Sequence, residues 1–128
     1  MVVRQLQGLL ESTYDVPIAQ DVAHFLLTDR SALPAQVRAG ATDEQLLVAE
    51  DQEGVTLGLF LDPAVLARLA VANPHDALHG GNLGDYWTAL EGVSHFVYLA
   101  WNAGHDRPVS LLELELQAEV DKYVCSLQ

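Results

Sequence analysis

Cysteine is nearly absent from this chain: Cys125 stands alone among 128 residues, so no internal disulfide can form. It falls on the face of a predicted helix that also carries Leu111, Leu114 and Ala118, with Asp121 and Lys122 beside it and no histidine near in sequence. A reactive thiol needs a base and a pKa-lowering environment, so this one reads as a structural, half-buried thiol. Basic residues are also few. Six of them, scattered singly, face 18 acids for a formal charge of −12. That pattern leaves no nucleic-acid footprint, and an acidic surface repels both nucleic acid and anionic membrane. The acids are spread along the chain rather than gathered in a tail, which serves solubility and would steer a basic protein partner.

Long apolar runs are missing too. The longest stretch, Val93 to Trp101, is interrupted by Ser94 and His95, and a membrane helix needs about 20 apolar residues. The first residues, Met1-Val2-Val3-Arg4-Gln5-Leu6, lack an apolar segment of signal-peptide length. The expected location is therefore cytoplasmic. The chain also contains no phosphate loop of the Gly-x-x-x-x-Gly-Lys-Ser/Thr type, no Gly-x-Gly-x-x-Gly after a strand, no Cys-x-x-Cys and no Gly-x-Ser-x-Gly nucleophile elbow.

What is present suffices for a core. Half of the residues are apolar, which offsets the entropy of ordering a chain of this length. Residues 1–128 read as a single domain. Val3, Leu6, Leu10 and Thr13, reinforced by Leu9, predict a helix from about Val3 to Thr13. Ile18, Val22, Phe25 and Leu26 have the spacing of a second helix starting near Pro17, and Arg30 to Gly40 reads as a loop. Gln45–Glu50 and Val55–Leu61 read as a hairpin around Asp51-Gln52-Glu53-Gly54, with Gly54 free to take a positive φ. Asp62-Pro63 opens a further helix that stops near Asn73-Pro74. A long helix follows over about 85–102, and Ser110 with Glu113 forms a capping box for a last helix to about Cys125. The expected class is α+β: mostly helical, with about five helices, one small antiparallel hairpin and a central helix at 85–102.

Leu83, Tyr86, Leu90, Val93, Val97 and Trp101 form one stripe of the long helix, and Phe96, Leu99 and Ala100 cover other sides, so it should be buried nearly all round. Glu91 and His95 lie within that apolar region, one turn apart. A buried carboxylate must be paired. The pair therefore either satisfies itself in the core or forms an acid–base or metal half-site. The last helix has two apolar stripes: Leu112, Leu116, Val120, Tyr123 and Leu127 on one side, Leu111, Leu114, Ala118 and Cys125 on the other. Such a helix is sandwiched in the fold or packed on a second subunit. Between the stripes, Glu115 and Glu119 are either relieved by Lys122 or face Glu91 and His95 to complete a ligand set.

His75-Asp76-Ala77-Leu78-His79 has the outline of a zinc-protease motif with aspartate in place of glutamate. Pro74 before it and Gly80-Gly81 after it leave room for at most a turn or two of helix, which argues against that motif. His75, His79 and His95 remain candidate transition-metal ligands by residue type. His105-Asp106 reads as an ordinary loop pair, and the aromatics Tyr86, Trp87, Tyr98 and Trp101 suggest core more than a ligand pocket.

Two functions follow. The first is a small acidic interaction or regulatory protein, homodimeric, without a cofactor, possessing no complete catalytic constellation and meeting a basic partner if any. The alternative is a metal-dependent hydrolase using a zinc-like divalent ion. Its catalytic residues are Glu91 and His95, and its ligands come from His75, His79, His95, Glu91, Glu115 and Glu119.

Overall fold

The computed structural model describes residues 1–35 and 42–127. Its architecture is α+β. Among the described residues, four α-helices pack on a three-stranded mixed sheet: α1 (Val2–Tyr14), β1 (Leu26–Leu27), β2 (Glu44–Asp51), β3 (Gly54–Leu61), α2 (Pro63–Val71), α3 (Leu83–Ala103) and α4 (Leu111–Ser126). None of these helices is long and apolar enough to cross a membrane.

The helix expected from Pro17 does not form. Val22–Phe25 make a single 3-10 turn, capped where the Asp21 carboxylate accepts from the Ala23 amide, and Leu26–Leu27 continue as a strand. The reason lies in Gln7 of α1. Its side chain accepts from the Val22 amide and donates to the Gln20 carbonyl, both at 2.7 Å. These bonds hold the backbone of the segment extended where a helix would need it coiled. The apolar spacing is used for docking instead: Val22 is fully buried, and the Phe25 ring lies 5.3 Å from that of Phe96. The helix count is thus four rather than about five. The last part of the predicted loop, residues 36–40, lies outside the described residues, and Arg30–Ala32 within it form a 3-10 turn.

The sheet has order β1-β3-β2, with β1 parallel and β2 antiparallel to β3, so the expected hairpin gains a third strand. The C-terminal end of the central strand β3 is buried on both faces, with Leu59, Phe60 and Leu61 all solvent-free. The hairpin closes more tightly than expected: Asp51 pairs with Gly54, leaving Gln52 and Glu53 as the turn. Gly54 has φ 132°, a backbone region closed to residues with a Cβ. Since a Cβ there meets open space, the cost of Gly54→Ala is backbone strain alone, expected at about 1–2 kcal/mol in chemical denaturation. A stability equal to wild type would show that the turn relaxes without loss.

The Asp62 carboxylate accepts from the Ala64 amide, and Pro63 occupies the first turn, so α2 starts as expected. The long helix begins two residues earlier than expected because Asn82, itself buried, organises the preceding loop. Its amide donates to the Ala72 and Ala77 carbonyls, and its oxygen accepts from the His79 amide. α3 is the central element, in contact with α1, α2, α4, β2 and β3. Tyr86, Ala89, Leu90, Val93, Phe96, Val97 and Ala100 enter the core from it, each large apolar side chain contributing about 1.5–3 kcal/mol by burial.

Candidate metal site

Gly92 of α3 leaves the room that the Glu44 and Leu59 side chains fill. A Cβ on Gly92 would stand 2.9 Å from Leu59 Cδ1 and 3.1 Å from Glu44 Cγ. Its absence lets the start of β2 press against the helix. Glu44 thereby meets Glu91 and His95, which α3 displays one turn apart. Glu44, Glu91 and His95 each offer a ligand atom, and the three atoms lie within 4.8 Å of one another. From α4, Glu115 Oε1 comes to 3.7 Å from His95 Nε2. The group opens on a cavity of about 630 Å3, whose wall includes Asp43, Thr88 and the apolar side chains of Val48, Leu111 and Leu114.

The electrostatics are those of crowded carboxylates in a poorly hydrated corner. Burial first, then the charges of Glu91 and Glu115, push the Glu44 carboxyl up from its ordinary 4.5 to about 7, with Lys122 opposing. Burial also depresses the His95 pKa against the pull of Glu115 and Glu91, so the ring is neutral at physiological pH. A neutral imidazole is the ligating form. His95 is 5% exposed, and its buried Nδ1 has no hydrogen-bond partner among the described residues. The backbone of Leu114 lies against the ring and favours its charged form. Lys122 is the local cation: its ammonium lies 2.8 Å from Glu119 Oε1 and 4.0 Å from Glu91 Oε2.

Carboxylate and imidazole donors suit zinc or a similar divalent ion. By donor type, Glu44, Glu91 and His95 would hold such an ion, with Glu115 next to them.

The structure thus brings together Glu91, His95 and Glu115 of the candidates read from sequence. Glu119 points to solvent and pairs with Lys122. His75 and His79 do not join the group. The His75 amide is bonded to Asn73 Oδ1, and the residue borders a different cavity with Tyr86 and Cys125. His79 Nδ1 accepts from the Gly81 amide within its own turn. The four aromatics do not share a pocket either. Tyr86 donates to the Cys125 carbonyl, Trp87 donates to Ser126, and Tyr98 and Trp101 line a third cavity with Arg107. Cys125 is buried, its thiol pushed up to about 11 by burial and by Asp121, as suits a structural thiol.

No protein family, no curated protein and no solved structure matches this chain. Glu44 was missed from sequence because 47 positions separate it from Glu91 and strand residues carry no signal of what they will face. Gly92 was the available clue: a glycine in the middle of a buried helix marks a close backbone approach.

Proposed function

We propose that this chain binds a divalent, zinc-like metal ion through Glu44, Glu91 and His95 and uses it for hydrolysis. The observation that carries this reading is the convergence of Glu44, Glu91 and His95 at the wall of an open cavity. Three protein ligands leave a coordination position open, where the bound ion would supply a water of lowered pKa. Glu115, half exposed beside His95, is placed to accept a proton from a water entering the cavity. Leu111 and Leu114 give the cavity an apolar wall for the uncharged part of a substrate. Asp43, Glu44, Glu91 and Glu115 on the same lining select against anions, so the substrate class is neutral or cationic.

The test is calorimetric titration of the metal-stripped, untagged protein with Zn2+. The expected result is one ion per chain for wild type, at least tenfold weaker binding for His95→Ala and for Glu44→Gln, and unchanged circular dichroism. Equal affinity in both variants, or no binding by wild type, overturns the assignment.

A second reading, an interaction protein acting as a homodimer in the cytoplasm, is favoured by a separate observation. The outer stripe of α4, including Leu112, Leu116 and Tyr123, stands in solvent. The two readings are compatible, because they use different faces of α4.

A further inference from the structure

Leu112, Leu116, Val120 and Tyr123 of α4, with Leu127 at its C-cap, fall on one narrow line of the helix and are each 50–71% exposed. This is distinct from the metal cavity, which Leu111 and Leu114 border from another face of the same helix. Contiguous apolar stripes of this length are rare on monomers and mark interfaces.

We propose that a second copy of this chain covers the stripe, with the two α4 helices antiparallel about a two-fold axis between residues 119 and 120. Three features support that occupant. First, the spacing of Leu112, Leu116, Tyr123 and Leu127 reads the same in both directions, so each leucine or tyrosine meets a large apolar partner: Leu112 against Leu127 and Leu116 against Tyr123 of the other copy. An isologous contact requires this self-complementarity. Second, a parallel pair would set both Glu113 and Glu119 against their own copies. The antiparallel pair sets Glu113 near Ser126, so that only the two Glu119 side chains flank the axis, each already holding its Lys122 at 2.8 Å. Third, antiparallel packing opposes the two helix dipoles favourably. The remaining cost is the charge of −12 on each copy, which salt screens.

The experiment is sedimentation equilibrium of the full chain at low and high salt. Wild type is expected to be dimeric, with tighter association at high salt, and Leu116→Glu with Tyr123→Glu is expected to weaken association at least 100-fold with an unchanged far-UV circular dichroism spectrum. Orientation is read by mixing Leu112→Cys and Leu127→Cys proteins with a short bifunctional thiol reagent. Cross-links between the two variants support the antiparallel pair, whereas cross-links of Leu112→Cys to itself overturn it. A wild type that stays monomeric at sub-millimolar concentration in high salt overturns the proposal and leaves the stripe to a different protein.

Discussion

Asp121→Ala is expected to cost about 3–4 kcal/mol and to lower the melting temperature by about 15 °C. Asp121 is 3% exposed and accepts three hydrogen bonds: from the Tyr14 hydroxyl at 2.6 Å, the Ser94 hydroxyl at 2.5 Å and the Gln117 amide at 2.9 Å. Those donors come from α1, α3 and α4, so one carboxylate ties three helices together. Burial and the bond to Asp121 together hold the Tyr14 hydroxyl well above the ordinary tyrosine range. Truncation leaves a fully buried Ser94 and a part-buried Gln117 without their acceptor and opens a small void, and both terms are unfavourable. Asp121→Asn keeps the volume and one acceptor, and the Ser94 hydroxyl can turn to accept from the new amide. Its loss is expected to be smaller, about 1–2 kcal/mol. Urea denaturation of the three proteins checks both figures. An alanine variant within 1 kcal/mol of wild type would show that water satisfies the stranded donors and that the network does not hold the helices.

The second large effect is a pH-dependent gain from Glu44→Gln. With its pKa raised from 4.5 to about 7, Glu44 keeps a proton in the folded protein that the unfolded chain has released. Between those values the native state binds more protons, so this group's contribution to stability falls as pH rises, and above about 7 the penalty is constant. The full difference would be about 3.4 kcal/mol, but the cavity is open to water, which brings the expectation to about 2 kcal/mol. Glutamine copies the neutral carboxyl and does not titrate. Glu44→Gln should therefore match wild type near pH 4.5 and exceed it by about 2 kcal/mol at pH 8. His95 acts in the opposite sense: its depressed pKa means that the unfolded chain takes up the proton first as pH falls, so its contribution is lost on acidification. Both proteins retain His95, along with Glu91, Glu115 and Lys122 around it, and the difference between their stability curves reports Glu44 together with its coupling to those charges. Parallel curves from pH 4.5 to 8 would show that Glu44 ionises freely and that the crowding of carboxylates is relieved by solvent.

Local signals were read well where the chain carries its own chemistry. The Asp62-Pro63 start of α2, the Ser110 and Glu113 capping box of α4 and the hairpin around Gly54 each depend on residues within four positions of one another. The Ile18 to Leu26 segment failed because its apolar spacing fits a helix equally well, while the decision was taken by Gln7, more than ten positions away, and by the free edge of β3. Half of the site was legible in the same sense. Glu91 and His95 stood out as polar neighbours in an apolar helix, whereas Glu44 and the Asp121 network depend on contacts that periodicity does not encode.

The sequence by itself determined the α+β class, the acidic surface, the central helix, the two-striped last helix and the presence of a polar pair where apolar residues were due. These follow from composition, caps and repeat spacing, which act over a turn or two of backbone. Only the tertiary structure decided that Gly92 admits Glu44 to that pair, that Glu115 and not Glu119 faces it, that His75 and His79 lie elsewhere, and that the outer stripe of α4 is left in solvent. Those outcomes depend on which elements pack against which, and packing joins residues whose separation along the chain carries no information about their distance in space.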